Sequence, residues 1–91
     1  KQVELSLVKP DSPLAKRLAK FVLGQKPATE AGLKLNRIVA VTQADATTST
    51  SYFVELLATT KTGETVLAQA HVNELDDGKL GLLSLRIAAG D

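Results

Sequence analysis

Ser12-Pro13-Leu14-Ala15-Lys16-Arg17-Leu18-Ala19-Lys20-Phe21-Val22-Leu23-Gly24 carries the helical period of this chain. Leu14, Leu18, Phe21 and Val22 fall at i, i+4, i+7 and i+8, which places them on one apolar stripe, while Lys16, Arg17 and Lys20 lie mainly on other faces. The Ser12 hydroxyl can accept a backbone N–H of the first turn, and Pro13 at the first helical position lacks only an N–H that would go unpaired there. Gly24, followed by Pro27, predicts the stop, so about three turns are expected.

Around this helix the period changes from 3.6 to 2. In the first strand, residues 3–8, Val3, Leu5 and Leu7 alternate with Glu4 and Ser6, as in a half-buried strand that ends at Lys9-Pro10-Asp11. Residues 26–32 read as a polar connection. The second strand, 33–42, keeps Leu33, Leu35, Val39 and Val41 in step, and Arg37 interrupts that face, which predicts a bulge or a twist there. After a small, polar loop at 44–51 comes a third strand, 52–59, with Tyr52, Val54, Leu56 and Ala58 on one side. Lys61-Thr62-Gly63-Glu64 is a hairpin turn in which Gly63 can take positive φ. The fourth strand, 65–73, shows Val66, Ala68, Ala70 and Val72 on one face, small enough for a helix to lie close. Asp76-Asp77-Gly78 turns the chain into a last strand at 79–88. The expected fold class is therefore α+β: a single helix packed on a curved antiparallel sheet of four to five strands, with residues 1–91 forming one domain.

Bulk properties narrow the function classes. A chain of 91 residues buries about 60–65% of its unfolded surface, so its core is small. Aromatics make up 3% of it, leaving Leu, Val, Ile and Ala to fill that core. With a net charge of +1 and few aromatics there is neither a basic stripe nor a stacking platform, which argues against nucleic-acid binding. No apolar run approaches the length needed to span a bilayer, so no membrane partner is expected. Cysteine is absent, which excludes disulfides and thiolate chemistry and leaves the compartment open. A start at Lys1 with no Met reads as a mature or trimmed product.

Several residues admit two readings. His71, the sole histidine, could sense pH or bind a metal, but with no second His and no Cys to join it, a solvated strand histidine beside Gln69 and Asn73 is the expectation. Asp45, Asp76 and Asp77 could be paired acids or calcium ligands. Their spacing matches no calcium loop, so ordinary turn chemistry is expected, with no metal and no cofactor. Lys16, Arg17 and Lys20 form either an anion-binding patch or a solvated helix face. Phe53 and Leu57 lie opposite the Tyr52 face, and Leu80 and Leu82 lie opposite Leu83, Leu85 and Ile87. This two-sidedness is either an outer apolar patch that supports a homodimer or a contact with another domain, or else scattered surface leucines or a wrong assignment of faces.

Leu18-Ala19-Lys20-Phe21-Val22 resembles the L-A-R-F-A helix signature of plant-type cystatins. Leu33-Lys34-Leu35-Asn36-Arg37-Ile38-Val39 resembles their L-E-F-x-R-V-V strand, and Tyr52-Phe53-Val54-Glu55-Leu56-Leu57-Ala58-Thr59 resembles Y-Y-x-T-L-x-A-T. Gly63 falls at the family's turn glycine, and Leu67, Ala70 and Val72 fall on its next strand. The resemblance covers residues 3 to 87. It implies an inhibitor of papain-like cysteine proteases that fills the active-site cleft with a three-part wedge and performs no catalysis of its own.

In that reading the wedge is carried by Val3, by Ala44, Asp45, Ala46, Thr47 and Thr48, and by Glu74, Leu75 and Asp76. The family's leading glycine, its Q-x-V-x-G loop and its P-W pair are all replaced at these positions. Ordering a loop of Ala, Asp and Thr costs about 1–2 kcal/mol per residue and offers little contact area in return. The aspartates are costly to desolvate without basic partners. Two roles follow: a protease inhibitor by cleft occlusion, or a non-inhibitory binding or self-assembly module on the same scaffold. With one helix and one histidine, an enzyme is not expected.

Overall fold

The computed structural model describes residues 4–47 and 49–89. Its elements, in chain order, are β1 (Glu4–Val8), α1 (Pro13–Leu23), α2 (Lys26–Ala31), β2 (Lys34–Asp45), β3 (Thr50–Thr59), β4 (Thr65–Glu74) and β5 (Leu80–Ala89). The strands form one antiparallel sheet in the order β1-β2-β3-β4-β5. The class is α+β, as expected, but there are two helices where the sequence suggested one.

The second helix occupies residues read as a polar connection. Pro27 was taken there as a stop signal, yet it sits in the first turn of α2, where its missing N–H breaks no helical bond. Gly32 closes α2 at φ 65°, with Gly32 N–H donating to the Thr29 carbonyl and Leu33 N–H to that of Ala28, the paired C-terminal bonds of a Schellman motif. Ala28 is fully buried.

In α1 the expected caps are present: the Ser12 hydroxyl accepts from Ala15 N–H at 3.2 Å, and Pro13 opens the helix. The buried stripe is Ala15, Leu18, Ala19 and Val22, with Leu14 and Phe21 only half-buried at its sides. It lies against β2, β3 and β5. Below it, Tyr52, Val54 and Leu56 of β3 and Ala68, Ala70 and Val72 of β4 complete the core. The alanines on both layers let the backbones approach.

Bulges account for the places where simple alternation failed. In β2, register shifts fall between Leu35 and Arg37 and between Ile38 and Ala40, so Leu35, Ile38 and Val41 share a face at spacings of three. Val39, expected in step with Val41, is the extra residue of the second bulge, and Ile38 packs on the core in its place. In β5, Leu82 pairs with Val72 and Ser84 with His71, leaving Leu83 as the extra residue. Leu80, Leu82 and Leu85 therefore all pack on the core, and most of the apparent two-sidedness of β5 disappears.

β1 faces the opposite way from the expectation. Leu5 and Leu7 are 67% and 85% exposed, while Val8 packs on the core. The register explains this: Val8 is opposite Val41, whereas Leu7 and Leu5 are opposite Thr42 and Ala44. Alternation specifies that a strand has two faces, and pairing with β2 determines which of them meets the helix. Val3, expected on the same face as Leu5, lies outside the described residues.

Candidate functional site

The meander brings the predicted contact segments to one end of the sheet. Glu4 is opposite Asp45, Asp45 opposite Thr50, Thr50 opposite Glu74 and Glu74 opposite Leu80, so one row crosses all five strands. Just beyond this row lie the β2–β3 hairpin at 46–49 and the β4–β5 turn at 75–79. Val3 and Thr48 lie outside the described residues.

The hairpin is tighter than the sequence suggested. Ala44 and Asp45 belong to β2, and Ala46 N–H donates to the Ser49 carbonyl at 2.9 Å. Ala44 is buried on the side of the sheet away from α1. The Asp45 carboxylate accepts from Gln43 Nε2 at 3.0 and 3.1 Å and from the Thr50 hydroxyl at 3.0 Å. Of the expected contact residues that are described, this end presents outward Ala46 and Thr47 from one turn and Leu75 and Asp76 from the other. Leu75, 45% exposed, is the only large apolar group among them.

The second turn is held from three directions. Leu75 N–H donates to the Lys79 carbonyl at 2.8 Å, and Gly78, at φ 83°, donates to the Leu75 carbonyl at 2.9 Å. Asp77 Oδ1 accepts from Lys79 N–H at 3.1 Å. From the helix, Arg17 Nη2 donates to the Gly78 carbonyl at 2.6 Å. From the core, the Tyr52 hydroxyl donates to Glu74 Oε1 at 2.9 Å. The Tyr52 ring is buried, and its pKa is pushed up to about 12, first by desolvation, then by the hydrogen bond to Glu74 and by the negative charges of Glu74 and Asp45, with Arg17 opposing.

Arg17 and Tyr52 were not read as part of this end from the sequence. For Tyr52 a signal existed, since a buried phenol needs an acceptor and Glu74 lies diagonally across the β3–β4 pair on the same face. For Arg17 there was none, because its partner is a backbone carbonyl 61 residues away.

Comparison of the chain with protein-family models, with curated proteins and with solved structures gave no match.

Among the described residues, no group of three or more His, Cys, Asp or Glu side chains is placed to hold a metal ion. Asp77 acts within its own turn, as expected for turn chemistry. Among the described residues, no helix is long and apolar enough to cross a membrane. His71 lies on the side of the sheet away from the helices, as expected, but it is not a solvated histidine. Its ring stacks on Phe53 at 4.3 Å between centroids, and its Nε2 is buried with no hydrogen-bond partner among the described residues.

Proposed function

We propose that this chain is a non-catalytic protein-binding domain of cystatin-like architecture, whose loop end occludes the active-site cleft of a papain-like cysteine protease. The observation that carries the reading is the row from Glu4 to Leu80, which brings the start of β1, the β2–β3 hairpin and the 75–79 turn to one edge. A cleft blocker needs this arrangement, since three segments must enter one groove together. It also needs little reordering on contact, because each side chain immobilised at an interface costs about 0.5–1.5 kcal/mol. The ties from Arg17 and Tyr52 meet that need for the second turn. Leu75 is the natural anchor, and Ala46, Thr47 and Asp76 are rim contacts.

Titration of papain and of cathepsin-type enzymes tests the proposal. Reversible inhibition at micromolar protein, weakened at least severalfold by Leu75→Ala, is expected. Full protease activity at that concentration across the panel would reject it.

A second reading, a binding or assembly module without inhibitory activity, is favoured by a different observation: Leu5, Leu7, Phe53 and Leu83 are all exposed. None of them belongs to the two turns.

A further inference from the structure

α1 packs on one side of the sheet, and among the described residues no helix packs on the other. The β1–β2–β3–β4–β5 register aligns Leu7, Thr42, Phe53, His71 and Ser84 across that uncovered side. Leu5 stands opposite Ala44 in the next row, and Leu83 is the extra residue beside Ser84. Leu5, Leu7, Phe53 and Leu83 are 67%, 85%, 45% and 56% exposed, an apolar grouping beyond scattered single surface leucines. We infer that this face is a self-association interface, and that its occupant is a second copy of this chain.

Two arguments select a second copy. The first is area. Strands spaced roughly 4.8 Å apart, β2 to β5 about ten residues long and β1 about half that, present a face of about 700 Å², or about 1,400 Å² counted on both partners. That total lies within the standard range for a stable, specific complex, about 1,200–2,000 Å². The second is self-complementarity. β3 is the central strand. A two-fold axis running along it exchanges the two edges of the sheet, so that Leu5 and Leu7 of one copy meet Leu83 of the other and Phe53 meets its own counterpart. Such an isologous arrangement covers every member of the patch with another member of the same patch. The same axis brings two Glu55 side chains near each other. Each is drawn toward β4 by Gln69 Nε2, which donates to Glu55 Oε2 at 2.8 Å. That like-charge approach is a specific weakness of the geometry, and it gives the geometry a signature.

The inference is independent of the loop end, and its test can fail separately. Sedimentation equilibrium across a concentration series should show a monomer–dimer equilibrium. Leu7→Lys, on a side chain already in water, should raise the dissociation constant at least tenfold while leaving the melting temperature of the monomer, measured at low concentration, unchanged, whereas Glu55→Gln should tighten the dimer. Leu75→Ala should leave it unaltered. The chain lacks cysteine, and sheets packed face to face lie about 10 Å apart, too far for a direct disulfide, so a thiol-to-thiol cross-linker of about 10 Å span should join two copies of a single Phe53→Cys variant, while Lys16→Cys, exposed on α1 across the sheet from this face, should not be joined. A monomer at every concentration, or a dimer indifferent to Leu7→Lys and not cross-linked through position 53, would overturn the inference.

Discussion

Tyr52 links the core to the loop end through one hydroxyl group. It is the only tyrosine and the chain has no tryptophan, so phenolate absorbance reports this residue alone. The phenol should titrate at about 12, against an ordinary value of 10.0, because ionising it would place a charge in the core beside two carboxylates. The linkage has a definite sign. Between pH 10 and about 12 the folded chain holds a proton that the unfolded chain has lost, so this contribution to stability is complete below pH 10 and declines as pH rises through that window. Glu74→Gln removes the acceptor's charge and leaves the burial, so the midpoint should fall and still remain above the ordinary value. A spectrophotometric titration of both proteins decides it. A wild-type midpoint at the ordinary value, or one that Glu74→Gln does not move, contradicts the account.

At the level of elements, the unbroken alternations of β3 and β4 were legible because each apolar residue on the inner face follows the last by two. β2 and β5 were less legible because a bulge inserts one residue and changes the spacing to three, which a period-2 reading assigns to the wrong side. The Arg37 interruption was a usable signal for β2. Leu83 gave none, since a leucine suits either face. The loops' convergence followed from the meander order, and the Tyr52–Glu74 tie was readable from the β3–β4 pairing, but the Arg17 tie spans 61 residues and leaves no local trace. The stop of α1 at Gly24 was legible while α2 was not, and although Gly24 and Gly32 look equivalent as stops, only Gly32 needs to be glycine. Gly24 has φ −84°, and a Cβ there would make ordinary contacts at 3.5 Å. Gly32 has φ 65°, and its Cβ would lie 2.8 Å from Lys61 Cβ, in the turn whose backbone N–H donates to the Ala31 carbonyl. Gly24→Ala should therefore change stability by less than about 0.5 kcal/mol, whereas Gly32→Ala should destabilise by at least about 1–2 kcal/mol from the backbone conformation alone. Urea unfolding of the two variants measures the contrast, and equal midpoints would refute it.

Across the whole molecule, the same topology that aligns the loop end also grades its stability. β3 and β4 have hydrogen-bonded neighbours on both sides and contribute six of the core-cluster residues, Tyr52, Val54, Leu56, Ala68, Ala70 and Val72. β1 has one neighbour, five residues, and only Val8 against the core. Opening free energies within a fold range from near zero at weakly packed edges to the global value in the core. Native-state hydrogen exchange of the monomer at low concentration should therefore find β1 amides exchanging through local opening, well before β3 and β4 amides, whose exchange should track global unfolding. The grading bears on function, because β1 directly follows the first segment of the proposed wedge and carries two of the three leucines of the proposed dimer face. An edge strand that opens alone is expected to be the part each partner orders on binding. Leu7→Lys, which removes no core contact, should leave the β1 exchange rates of the monomer unchanged, while Val8→Ala should raise them and spare β3 and β4. Uniform protection from β1 to β4 would mean that the sheet opens only as a unit, and that Val8 alone does not set the stability of its edge.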